Sequence, residues 1–244
     1  MKKLTLTNIA LPLLLASICP SAFAQEVEVS ISVDYASEYV FRGTTLAADV
    51  LQPGVEATYG NFTFGGWASF PIEESNTYDT EIDLYAGYAF ALSDTISADI
   101  GATLYHYPES GGLFDIGTDA GDASTLELYA NFGFQGALEP SLTAYYDLTL
   151  EAFTVEGSVG YSVPVADKTS FDIGATVGAV AVDGSGDYQY GSLSGALTYA
   201  VSDAVSSYIG INAGLSSEDT FQKLSNFTPK SSSVWFGAGI STGF

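Results

Sequence analysis

Beyond residue 25 the chain alternates between apolar and polar positions. From Val27 the odd positions read Val27, Val29, Ile31, Val33, Tyr35, Ser37, Tyr39 and Phe41. The even ones read Glu28, Ser30, Ser32, Asp34, Ala36, Glu38, Val40 and Arg42. Successive side chains of a strand point to opposite faces, so a period of two predicts a strand with one greasy and one polar face. The same alternation runs through 78–90, 96–104 and 126–134. Further segments near 53–60, 61–70, 141–151, 153–163, 170–182, 191–201, 205–216 and 233–244 bring the expected number of strands to twelve. No stretch after residue 25 carries the roughly 20 apolar residues of a membrane-crossing helix.

The connections alternate as well. Short ones are expected at Gly60-Asn61, 92–94, 136–140, 164–168 and 202–204, and longer ones at 43–52, 71–77, 108–123, 183–190 and 217–232. The connection near Glu151-Ala152 is tight. Short turns at one end and long loops at the other match a transmembrane barrel with an even strand number. The expectation is an all-β fold, a transmembrane antiparallel up-and-down β-barrel of about 12 strands. The last strand ends on Phe244, with Ile240, Ala238 and Phe236 on the same face, and resembles the terminal recognition signal of outer-membrane barrel proteins. A soluble β-sandwich also alternates. Closure into a barrel, however, removes the edges that so many apolar strands would expose.

The first residues bear on compartment. Lys2 and Lys3, the apolar run "IALPLLLASI" (9–18) and Ala22-Phe23-Ala24 form a secretory leader pattern, with cleavage expected before Gln25. The expected organisation is a signal peptide at 1–24 and an outer-membrane β-barrel at 25–244. Cys19, the one cysteine, falls in the leader, so a mature chain has no disulfide or cysteine-ligated metal. Loss of Lys2 and Lys3 leaves four basic residues against twenty-nine acidic ones, which argues against nucleic acid as a partner. Sixteen Tyr and fifteen Phe separate the chain from acidic disordered segments, which lack aromatics.

In a barrel the polar face lines the lumen. That face carries Asp34, Glu38, Asp79, Glu81, Asp83, Asp99, Glu127 and Asp147, together with Glu28, Glu56, Glu156 and Asp172. Unpaired charge is too costly in a dry interior, so water, protons or cations must accompany these carboxylates. Twelve strands fall between a filled eight-stranded barrel and a sixteen-stranded channel. Glycines on the same face, among them Gly87, Gly101, Gly178 and Gly214, are expected to leave room for a narrow aqueous pore, and a carboxylate lining favours cations. Arg42, the chain's one arginine, shares this face with Glu38 and Asp34. Two roles stay open for it: an internal ion pair that eases carboxylate repulsion, or a solute contact at the pore mouth.

The segment "DYASEYVFRGTT" (34–45), followed by Gln52-Pro53, resembles the TorF family of porin-like proteobacterial outer-membrane proteins. The match is carried by Asp34-Tyr35 and by Tyr39-Val40-Phe41-Arg42-Gly43. The stretches "GNFTFGGWASF" (60–70) and "YDTEIDLYAGY" (78–88) are also similar to that family. The resemblance covers about the first eighty residues after the leader. It implies a porin-like role in the outer membrane, and it carries no solute-binding residues.

Other functions leave weaker traces. A serine hydrolase needs a base beside its nucleophile. The single histidine, His106 in "LYHYP", is expected on the lipid-facing side of a strand end, without a serine motif. The loop sequences "DGSGD" (183–187) and "DIGTDAGD" (115–122) hold carboxylates but do not complete a calcium loop. The sequence therefore predicts no enzyme, no cofactor and no metal. It predicts an outer-membrane channel for passive diffusion of small hydrophilic solutes, in contact with outer-membrane lipid and lipopolysaccharide. A structural or adhesive barrel acting through its outer loops is the alternative, and an outer-membrane lipid hydrolase ranks behind it. Oligomeric state is left open.

Overall fold

A computed structural model describes residues 26–72, 79–117, 123–184, 186–223 and 227–244. The leader expected at 1–24 and parts of the 71–77, 115–122 and 183–187 segments lie outside them. Among the described residues fourteen strands occur in chain order: β1 (Val27–Phe41), β2 (Thr44–Tyr59), β3 (Phe62–Pro71), β4 (Glu81–Ser93), β5 (Ile96–His106), β6 (Ser124–Phe134), β7 (Ser141–Asp147), β8 (Ala152–Ala166), β9 (Thr169–Val182), β10 (Tyr188–Ala200), β11 (Val205–Ser216), β12 (Phe221–Gln222), β13 (Pro229–Lys230) and β14 (Ser232–Gly243). Twelve of them form one closed antiparallel barrel, each pairing with its sequence neighbours, and β12 and β13 pair separately in a loop. β1 closes on β14 in the register Val33↔Ile240 and Tyr35↔Ala238. The Phe244 amide donates to the Val29 carbonyl at 2.9 Å, which seals the seam at the end of the barrel that carries both termini.

Period two decides what faces outward. Val55, Phe64, Leu84, Leu128, Val177, Leu193, Ile209, Ile211, Val234 and Phe236 all lie exposed on the outer wall. An apolar belt of this extent is far larger than a soluble monomer tolerates, and hydrocarbon is the solvent that suits it. The inward positions are mainly polar or aromatic: Glu38, Glu56, Glu81, Asp83, Glu127, Asn131, Thr143, Asp147, Thr154 and Asn212 are buried.

Three expectations are corrected at the far end of the barrel. The segment 43–52 is strand, not a long loop, because Arg42 (φ 48°) and Gly43 (φ 74°) make a two-residue turn with both central residues in the left-handed region. That turn geometry matches the twist of a hairpin. Second, pairing steps from Tyr39↔Ala47 to Val40↔Thr45 and leaves Leu46 unpaired. This bulge lies on β2, beyond the Tyr39 pair. Tyr39, next to the equally buried Glu38, is packed against Trp67, and Phe41 packs on Tyr105, instead of facing lipid. Third, Asp79 is exposed and precedes β4, so it does not join Glu81 and Asp83 on a strand face.

Candidate functional site: the lumen

The lumen has two layers. At the far end, the Arg42 turn directs its guanidinium across the barrel to β6. Nη1 donates to Glu127 Oε2 at 2.5 Å and Nη2 to Oε1 at 2.8 Å. The Tyr105 hydroxyl adds a third donor to Glu127 at 2.9 Å. The guanidinium lies 3.9 Å from the centre of the Tyr145 ring and 4.5 Å from that of Phe41. Arg42 thus pairs with neither Glu38 nor Asp34, the partners that β1 alone suggested. The Arg42 turn is also pinned from outside. Thr220 Oγ1 donates to the Gly43 carbonyl at 2.5 Å, and the Thr45 amide donates to the Thr220 carbonyl at 3.3 Å. These bonds hold Thr220 against the turn, and Phe221 beside it is wholly buried against Trp235. Lys230 lies 3.6 Å from Glu38, whose oxygens also accept from Ser233 Oγ at 2.7 Å.

Toward the terminal end the lumen opens into a cavity of about 630 Å³. Its lining runs from Glu28 and Phe244 to Tyr39, Trp67 and Trp235, and it does not reach Arg42 or Glu127. Tyrosines brace the wall. Tyr208 donates to Asp34 at 2.8 Å, Tyr85 to Glu56 at 3.0 Å and Tyr39 to Glu81 at 3.0 Å. Outside the cavity, Tyr190 donates to Glu156 at 2.5 Å, and Tyr129 bonds Asp99.

The expectation that lumen glycines leave room for water is overturned at several positions. A Cβ on Gly101 would come 2.5 Å from Tyr129 Oη and 2.6 Å from its Cε1, and the same ring covers Gly87. Tyr190 covers Gly178, and Trp235 with Phe221 covers Gly214. These glycines serve as flat seats for aromatic rings. Of the carboxylates expected in the lumen, Asp34 and Glu38 line the cavity, whereas Glu81, Asp83 and Glu127 lie beyond its aromatic end. Asp147 accepts from the Thr149 and Leu150 amides, both at 2.8 Å, and so caps the β7–β8 turn. Asp83 is 0 % exposed and neither carboxylate oxygen has a hydrogen-bond donor.

His106 is buried where a lipid-facing position was expected. Its Nδ1 lies 3.1 Å from the Ala123 carbonyl and 2.9 Å from Ser124 Oγ, while Ser124 Oγ donates to the Leu113 carbonyl at 2.8 Å. Ser124 is 0 % exposed, and its proton points away from the histidine. The pair ties Leu113 and Ala123 to the ends of β5 and β6 and does not have the geometry of a nucleophile and base.

Tyr39, Trp67, Tyr85, Trp235 and Phe221 escaped the reading of charged residues. The inward phase of Trp67, Tyr85 and Trp235 follows period two, whereas Tyr39 is buried directly beside the buried Glu38, against the alternation, and Phe221 lies outside the barrel strands.

Three solved structures share the architecture. The KdgM porin aligns with a TM-score of 0.56 at 12% identity, over 88% of this chain and 99% of that one. A NanC porin structure gives 0.56 and 12% over 88% and 98%. The KdgM porin in complex with disordered oligogalacturonate gives 0.57 and 11% over 88% and 99%. At such identity the likeness establishes the fold, that of outer-membrane porins. No curated protein sequence matches the chain. The family model described as a bacterial protein of unknown function, Gcw_chp, matches residues 21–203, most of the chain. The sequence thus belongs to the Gcw_chp family.

Proposed function

We propose that this barrel is a porin-like outer-membrane channel for small hydrophilic solutes, with a preference for cations. One observation supports the preference above all. Eight residues lining the cavity are carboxylates, and none is Lys, Arg or His. A passage with one sign of charge and low-dielectric walls concentrates counter-ions and repels co-ions. The apolar belt contacts outer-membrane lipid and lipopolysaccharide, and the chain works without catalytic chemistry. The likeness of residues 34–45, 60–70 and 78–88 to the TorF family of porin-like proteins agrees with this reading.

The mechanism has two parts. Carboxylates held by tyrosine hydroxyls stay fixed along the wall, which spares the lumen from collapsing around them. Passage to the outer side runs past Phe221, buried against Trp235 beside the Arg42 turn. Arg42 acts as a brace between β1 and β6, because its guanidinium is fully engaged by Glu127 and two rings. The folded-in loop also favours a second reading, a structural or adhesive barrel with a closed lumen.

Efflux from proteoliposomes separates the two. Vesicles loaded with radiolabelled choline, glucose or glutamate and carrying the folded barrel are expected to lose choline fastest and glutamate slowest. Retention of all three, in the native protein and in a Phe221→Ala variant alike, would discard the channel in favour of the closed barrel.

A further inference from the structure

The cavity in the terminal half of the barrel is not a uniform acidic trough. Its end farthest from the termini is aromatic, walled by Tyr39, Trp67 and Trp235, with the Tyr39 and Trp67 ring centres 5.3 Å apart. Glu56 lines the same cavity, as does Glu38, which already holds Lys230 at 3.6 Å on its other side. Aromatic faces beside carboxylates are the usual receptor for an alkylammonium group, whose charge meets the ring quadrupole while its methylenes cover the ring.

A second, independent feature lies behind that wall. The Tyr39 hydroxyl donates to Glu81 at 3.0 Å, and Asp83 on the same face of β4 is fully buried with both oxygens lacking a donor. The Arg42 guanidinium is already committed to Glu127. The Tyr39 ring is anchored at the aromatic end by its own hydroxyl, so the wall stands pre-formed for a cation.

The carboxylates also form a ladder. Along β1, Glu28, Asp34 and Glu38 all point into the cavity. At about 3.3 Å per strand residue, Asp34 and Glu38 are roughly 13 Å apart along the strand and Glu28 and Asp34 roughly 20 Å. Such spacing suits several positive charges on one extended chain better than a single compact ion.

We propose that the cavity binds an elongated organic cation of the aliphatic polyamine class. Its leading ammonium lies against Tyr39, Trp67 and Trp235 between Glu38 and Glu56, and its trailing ammonium groups reach Asp34 and Glu28. The proposal rests on the cation-preferring reading and narrows it to a ligand class.

The chain contains two tryptophans, Trp67 and Trp235, and both line the aromatic end, so intrinsic fluorescence reports its occupancy directly. The folded barrel in detergent is titrated with spermidine, putrescine, tetramethylammonium, magnesium chloride and glucose at constant ionic strength. A saturable emission change with spermidine at micromolar to millimolar concentration, weaker for putrescine and absent for glucose, is expected. Glu56→Gln is expected to weaken spermidine roughly tenfold, by loss of one charge-assisted contact. Trp67→Phe is expected to weaken it severalfold while leaving Trp235 as reporter. Circular dichroism and heat-modifiable gel mobility establish that each variant is folded; if Glu56→Gln does not fold, Asp34→Asn takes its place. No saturable change with spermidine, or an equal change with magnesium at matched charge, would overturn the proposal. Saturable spermidine binding in a barrel that conducts nothing would keep the site and refute the channel, and cation flux without saturation would do the reverse.

Discussion

Replacing Arg42 with Met leaves the Glu127 carboxylate buried at 3 % exposure without its counter-charge, and the structure allows the cost to be sized. Breaking a buried ion pair from one side typically costs about 3–5 kcal/mol, since the remaining charge stays desolvated. Tyr105 still donates to Glu127 at 2.9 Å, which softens the loss, whereas the guanidinium contact with Tyr145 at 3.9 Å adds about 1 kcal/mol to it. The expected destabilisation is about 3 kcal/mol. The Arg42→Met, Glu127→Gln double variant removes the stranded charge and should recover about half of that. The assay is urea unfolding of the barrel in lipid vesicles, followed by tryptophan fluorescence, for the two single variants and the double. A loss below about 1 kcal/mol in Arg42→Met, or strict additivity in the cycle, would show that the pair is not a brace.

Other substitutions probe the remaining layers. Gly101→Ala drives a methyl into the Ala86 carbonyl oxygen and the Tyr129 ring and should cost about 1–3 kcal/mol in the same unfolding assay, with Tyr129→Phe unable to relieve it because the neighbouring backbone is also in the way. Phe221→Ala should detach the 217–231 loop from Trp235 and raise single-channel open probability; unchanged gating would place the barrier elsewhere. Leu128→Arg, on the exposed apolar belt, should cost about 2–4 kcal/mol in a bilayer if that position lies near the midplane, and far less if the belt were not lipid-facing.

Much of this architecture was legible in the sequence because period two is a strong signal when one face meets lipid and the other a polar lumen. The inward carboxylates Asp34, Glu38, Glu81, Asp83, Asp99 and Glu127 follow from their phase alone. What escaped were features set by tertiary closure. Arg42 finds Glu127 eighty-five residues away only because β1 and β6 face each other across a closed barrel. Glu38 and Tyr39 are consecutive yet both buried, a break in alternation that period two does not foresee, and the pairing then steps by one residue at Leu46. Glycines in the lumen read as empty space because their role depends on which ring from a neighbouring strand lies over them. Phe221 resembled an ordinary loop residue until the loop was seen bonded to Gly43 and Thr45.

Cation preference through an acidic lumen is the central claim, and its most direct test is the zero-current potential of single channels in a planar bilayer under a tenfold potassium chloride gradient. A potential displaced toward the potassium equilibrium value, and reduced in an Asp34→Asn, Glu56→Gln variant, is the predicted result. A potential near zero, or displaced toward the chloride value, would contradict the account.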